Sequence, residues 1–208
     1  MSSLPSLWIG RERLVLASKS ASRRHLLASA GLDADVEPAE VDERAIEAEF
    51  CARGEPTETL ALALARAKAL EVSGRRSGAL CLGADQTLSL EGRLIHKSKT
   101  LAQAAQTLAE LSGRAHRLTS AFALARDGHI VGEGWDSAVL TLRSLDERAI
   151  ALYLASAGPD VLASVGVYQV EGLGVHLFDS IEGDHTTILG LPMLKLLACL
   201  RREGALAL

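Results

Sequence analysis

Short apolar runs and stretches of helical periodicity alternate along this chain. Leu14 to Ala17 reads as a strand ending in Ser18-Lys19-Ser20, and Ser22 to Ala30 as a helix stopped by Gly31. Asp42 to Arg53 and Thr57 to Val72 read as helices, the second rich in Ala and Leu and closed by Ser73-Gly74. Ala79 to Ala84 is a buried strand that continues through Asp85 into Leu88-Ser89-Leu90, and Glu91-Gly92 reverses the chain into Arg93-Leu94-Ile95. Thr100 with Gln103 forms a capping box for a helix to Leu111, ended by Ser112-Gly113.

The pattern then changes. Leu118 to Ala125 and His129 to Leu142 are strand-like and joined at Asp127-Gly128, a hairpin signal. Ser144 with Glu147 suggests a second capping box, opening a helix to Ser156 that Gly158-Pro159 ends. Val165 to Val170 and Val175 to Phe178 read as strands around the Gly172 and Gly174 bend, and Pro192 starts a last helix to Arg202. Interleaved strands and helices without repeats or long linkers predict a single α/β domain over residues 1–208, with a mixed sheet, flanking helices and a hairpin-bearing lobe. A division, if present, is expected near Ala115.

The 208 residues, 48% hydrophobic and 23% charged, allow a substantial core. An aromatic share of 3% and a net charge of −4 oppose nucleic-acid binding, so any bound anion needs a local basic site. Cys51, Cys81 and Cys199 fit neither a disulfide framework nor a zinc site and read as buried reduced thiols. No run reaches the length of a membrane span, and the start of the chain has no signal-peptide core, so a cytoplasmic protein is expected.

Arg23 and Arg24 fall in the first turn of the opening helix, where the helix dipole already disfavours cations, so they call for an anion. With Lys19 and the hydroxyls of Ser18 and Ser20 they suit a phosphate cradle, although a solvated arginine pair behind a Ser20 cap fits equally. Asp85 stands near the carboxyl end of a strand, where α/β sheets bind ligands, and suits metal holding or proton acceptance. Gln86 and Thr87 beside it suit a base or sugar. Glu40, Asp42 and Glu43 cluster before a helix, a composition fit for magnesium or manganese or simply for a helix start. Lys68 and Lys97 are unremarkable alone, and His176 and His185 match no metal spacing.

Together these stretches resemble the Maf family. LASKSASRRHLLASAGL matches its opening motif, followed in order by the Val41–Glu43 triplet, Lys68 within ARAKA, GADQT at Gly83 to Thr87, Lys97, LSGRAH at Leu111 to His116, and VEGLG, LFDSIEGD and ILGLPM through Met193. The resemblance implies a fold like that of the inosine triphosphate pyrophosphatases, with two lobes around a cleft. It also implies hydrolysis of a nucleoside triphosphate to its monophosphate and pyrophosphate with a divalent cation, Mg2+ or Mn2+. It makes Asp85 the proton acceptor, with Glu43 and Asp85 as metal carboxylates and Lys97 as a catalytic cation. Ser18, Arg23, Arg24 and Lys68 match the triphosphate-binding residues. Gln86 and Glu171 resemble the 7-methylguanosine triphosphate branch, while Ser22 stands where that branch has a large aromatic, and His96-Lys97-Ser98 replaces Gly-Lys-Pro. The alternatives are a hydrolase of another modified nucleotide, a dTTP/UTP pyrophosphatase of the same family, and a nucleotide-binding regulator of septum formation without turnover. The expected partner is the nucleotide, with neither nucleic acid nor membrane and with a homodimer left open.

Overall fold

The computed structural model describes residues 7–208, so the expectation for the start of the chain lies in part outside the described residues. β1 (Leu14–Leu16), β2 (Ala34–Val36), β3 (Cys81–Leu90), β4 (Arg93–Ile95), β5 (Ala115–Arg126), β6 (His129–Leu142) and β7 (Phe178–Glu182) form one sheet. Its order is β2-β1-β3-β5-β6-β7, with β4 beside β3. β1 runs parallel to β2 and β3, whereas the β3–β4 and β6–β7 pairs are antiparallel, so the sheet is mixed. The helices are α1 (Ala21–Ser29), α2 (Glu43–Ala52), α3 (Leu60–Arg75), α4 (Leu101–Leu111), α5 (Glu147–Ala157), α6 (His185–Ile188) and α7 (Met193–Arg202). Among the described residues no helix is long and apolar enough to cross a membrane.

The chain divides into two compact units, and each is built from several segments. The first takes the chain up to Gln86, then Ser120–Asp136 and Leu189–Leu208; the second takes Thr87–Thr119 and Ser137–Ile188.

In the first unit, β1 is buried throughout, and Leu14 and Leu16 pack with Leu27, Leu82, Phe122 and Leu196. α1 begins where Ser20 Oγ accepts the Arg23 N–H, and Gly31, at a φ of 71°, lets the chain leave the helix. α3 presents Ala61, Ala65 and Ala69 to Ala121, Ala123 and Ala125. Small side chains on that face allow close approach to the sheet: a Cβ on Gly83 would collide with the Ala65 carbonyl and stand 2.5 Å from the Ala69 nitrogen. The core of the second unit gathers Leu88, Leu108, Leu140 and Leu142 with Tyr153 and Tyr168. There the Tyr168 hydroxyl meets His116 Nε2 at 2.5 Å, the Tyr168 ring meets Phe178 edge-on, and the Tyr153 hydroxyl donates to the Val167 carbonyl.

Several expectations change. β2 gave no sequence signal because Ala-Asp-Val neither alternates nor forms an apolar run; its pairing with β1 makes it a strand. α3 follows a 3₁₀ turn, Thr57–Thr59, and continues through Ser73-Gly74. Ser73 Oγ donates to the Leu70 carbonyl and receives the Gly128 N–H, so the residue is satisfied inside the helix. The N-cap of α5 is Asp146 rather than Ser144, since Asp146 Oδ1 accepts the Ala149 N–H at 2.7 Å. The two strands expected between Val165 and Phe178 are absent among the described residues. Val167 sits at a φ of 62° and the chain coils into the 3₁₀ turn Leu173–Leu177, so pairing begins only at Phe178 opposite Leu142. Cys51 is exposed, because α2 turns only Phe50 fully inward; Cys81 and Cys199 are buried.

Candidate active site

The loop leaving β1, the start of α1, the middle of α3 and the strand β3 bring charged groups together in the first unit. Lys68 projects from α3 between two carboxylates. Its ammonium nitrogen stands 2.6 Å from Glu43 Oε1 and in direct contact with Asp85 Oδ2. The side chains of Lys68 and Asp85 are only 11% and 13% exposed, against 55% for Glu43, so the inner half of this triad is shielded and the outer half meets water. Asp85 Oδ1 accepts the Gln86 N–H at 2.7 Å, which orients the carboxylate from its other side.

Arg23, from the first turn of α1, lies buried beside the triad. Nε donates to the Gly190 carbonyl at 2.9 Å, and Nη1 donates to the Ala84 carbonyl at 2.9 Å and to Ser18 Oγ at 3.0 Å. Burial drives the pKa of Arg23 below its ordinary value, and the charges of Asp85 and Glu43 oppose that shift. A buried cation beside two acids is thereby partly compensated. Ser22, next to it, donates through Oγ to the Leu189 carbonyl at 2.8 Å. Arg24 is exposed, and its side chain makes no hydrogen bond or ion pair among the described residues.

Gln86 Nε2 donates to Ser120 Oγ at 3.0 Å, and Ser120 is fully buried. In the second unit, Lys97 follows β4 and Glu171 precedes the Leu173–Leu177 turn, both exposed. Of the residues singled out in the sequence, the structure therefore gathers Ser18, Arg23, Glu43, Lys68, Asp85 and Gln86 in the first unit. Lys97 and Glu171 belong to the second.

The acidic cluster before α2 does not hold together as a ligand set. Asp42 Oδ1 is taken up capping α2 through the N–H groups of Arg44 and Ala45, and the Glu40 N–H is bound by Glu71. Among the described residues no group of three or more His, Cys, Asp or Glu side chains could hold a metal ion. Glu43 and Asp85 nevertheless converge on one cation, the Lys68 ammonium. A pair of carboxylates around a single positive centre suits magnesium, which commonly takes one or two carboxylates, substrate phosphates and water.

Ser120, Leu189 and Gly190, which hold Gln86, Ser22 and Arg23, were given no site role by the sequence, although Leu189 and Gly190 lie within the ILGLPM stretch. Two of these contributions are backbone carbonyls, which any residue type supplies, and Gly190 is marked by its glycine, at a φ of 105°.

The sequence pattern of the family described as Maf-like protein matches residues 13–203. The 7-methyl-GTP pyrophosphatase of Mesorhizobium japonicum is 51% identical over 195 residues, covering 94% of this chain and 98% of that protein. The 7-methyl-GTP pyrophosphatase of Rhizobium etli is 50% identical over 194 residues, covering 93% and 98%. The nucleoside triphosphate pyrophosphatase of Bradyrhizobium diazoefficiens is 48% identical over 201 residues, covering 97% and 98%. A solved nucleoside-triphosphatase, dITP/XTP pyrophosphatase, from Mycobacterium abscessus overlays with a TM-score of 0.42 at 18% identity, covering 93% of this chain and 95% of that one, too loose a fit to add to the assignment. A family pattern spanning nearly the whole sequence, joined to about half identity along these relatives, is decisive: the chain belongs to the Maf family.

Proposed function

We propose that this enzyme hydrolyses a nucleoside triphosphate at the α–β anhydride, releasing a nucleoside monophosphate and pyrophosphate. The observation that carries the reading is the Glu43–Lys68–Asp85 triad, in a chain whose relatives are named as pyrophosphatases of nucleoside triphosphates.

Asp85 accepts the proton of the attacking water. Its carboxylate is held from two sides, by the Lys68 ammonium and the Gln86 N–H, so little reorientation precedes proton transfer. Glu43 and Asp85 would hold a Mg2+ or Mn2+ ion, which supplies charge neutralisation at the phosphates. Lys68 and the exposed Arg24 face the polyphosphate and stabilise the departing pyrophosphate. Ser18 completes the loop that receives the phosphates, while the Ser22 hydroxyl is committed to the Leu189 carbonyl. Among bases we favour 7-methylguanine, since two relatives near half identity carry that substrate in their names. Glu171 is the carboxylate assigned to it, accepting from the guanine edge and balancing the positive charge of the methylated ring.

Purified protein is incubated with 7-methyl-GTP, GTP, dTTP and UTP under magnesium or manganese, and pyrophosphate and monophosphate are quantified. Equal amounts of both products with the highest efficiency on 7-methyl-GTP are expected. Preference for dTTP and UTP would move the enzyme to the other branch, and orthophosphate in place of pyrophosphate would overturn the reaction type.

A further inference from the structure

Arginines that grip a polyphosphate need donors to spare, and the two neighbours Arg23 and Arg24 differ in this. A guanidinium has five N–H donors in one rigid plane. In Arg23 the single Nε hydrogen and both Nη1 hydrogens are directed at Gly190, Ala84 and Ser18. Three segments distant in sequence are thus tied to one plane: the exit of β1, the amino-terminal half of β3, and the chain ahead of α7. Arg23 is also 9% exposed, so its remaining Nη2 donors have little room to follow a mobile ligand. Arg24 is exposed, with all of its donors uncommitted among the described residues.

The Ala84 carbonyl belongs to the peptide that leads into Asp85. We propose that Arg23 is a positioning residue, whose guanidinium pins this peptide to the start of α1 and thereby aims the Asp85 carboxylate, while Arg24 is the arginine that meets the phosphates. The proposal rests on the pyrophosphatase reading above.

The geometry supports it in two further ways. The Ser22 hydroxyl takes the Leu189 carbonyl while Arg23 takes that of Gly190, so the first turn of α1 holds two successive carbonyls of the same strand of chain. That segment therefore moves with α1. Lys68 and the Gln86 N–H engage the carboxylate itself, and Arg23 fixes the backbone from which it springs. Displacement of a reacting group by about an ångström is enough to cost on the order of a hundredfold in rate.

The test compares Arg23→Lys, Arg23→Ala and Arg24→Ala in the full chain. Pyrophosphate release gives kcat and KM, and equilibrium binding of a non-hydrolysable α,β-methylene triphosphate gives Kd. Lysine keeps the charge but cannot direct donors at three acceptors in one plane. For both Arg23 variants we expect kcat to fall about a hundredfold, with KM and Kd within about threefold of wild type. Arg24→Ala should instead raise KM and Kd about tenfold, with kcat falling less than in either Arg23 variant. Near-native kcat with raised KM in Arg23→Lys would overturn the proposal.

The wild type gives a reading that needs no variant to fold. In protein labelled with 15N-arginine, the Nε–H signal of Arg23 should stay in place and exchange slowly when the analogue binds, while that of Arg24 shifts. A shift of the Arg23 signal as large as that of Arg24 would assign Arg23 to the phosphates. Absence of pyrophosphate from wild type would sink the pyrophosphatase reading separately, as analogue binding and the arginine signals are read without turnover.

Discussion

The Lys68 ammonium stands 2.6 Å from Glu43 Oε1 while also touching Asp85, so one cation neutralises both acids. A divalent ion drawn to the same two carboxylates competes with that charge. Lys68→Met should therefore bind Mn2+ about tenfold more tightly without nucleotide, a conservative conversion of the repulsion removed. Titration followed by electron paramagnetic resonance measures it. Unchanged or weaker Mn2+ binding would count against Glu43 and Asp85 as the metal pair. Turnover should fall in the same variant, since the lysine also serves the phosphates.

Asp85→Asn keeps the side-chain volume and an oxygen for the Gln86 N–H but loses the proton acceptor. Turnover should drop by about a hundredfold or more. Far-ultraviolet circular dichroism should be unchanged, because Lys68 retains Glu43 as its partner. Native rates in a correctly folded variant would remove Asp85 from the reaction.

Glu171→Gln addresses base selection. If the carboxylate reads 7-methylguanine, kcat/KM on that triphosphate should fall relative to UTP and dTTP by about 1.5–3 kcal/mol, the scale of a hydrogen bond to a charged group. A constant ratio across the three nucleotides would leave Glu171 out of recognition.

His116 links the second unit to pH. Burial lowers its pKa to about 4, against a smaller opposing effect of the Arg114 backbone. The unfolded chain, with an ordinary histidine near 6.5, takes up a proton first as pH falls, so stability is full above that value and declines toward pH 4. Between pH 7.5 and pH 5 the loss from this residue is about 2 kcal/mol. Urea midpoints at the two pH values measure it, and His116→Gln, which has no such titration, should show a smaller difference. An equal difference in the variant would place the pH dependence elsewhere.

Most of the alternating framework was legible in the sequence because its cues are local. Ser20, Asp42 and Thr100 cap their helices, and Glu91-Gly92 and Asp127-Gly128 turn hairpins with both residues at positive φ. β2 and the turns between Val165 and Leu177 were not legible, since they depend on pairing with β1 and on the packing of Tyr168. Within the site, residue type and position suggested Asp85 and Glu43, whereas Lys68 was singled out only through the family resemblance. Which arginine is committed internally depends on carbonyls of Ala84 and Gly190, whose positions no side-chain pattern encodes.

The contact of Gly83 with α3 has a consequence for the charges it carries. Lys68 lies one residue before Ala69 on the helix, and Asp85 two residues beyond Gly83 on the strand, so main chain resting against main chain acts as the ruler between ammonium and carboxylate. Interdigitated leucines would transmit every change of rotamer or volume to that interval, but backbone atoms have no rotamers to change. The spacing of the ion pair is thus insulated from drift in the apolar residues around it, and is exposed to change at very few positions, the hydrogen on the Gly83 α-carbon foremost.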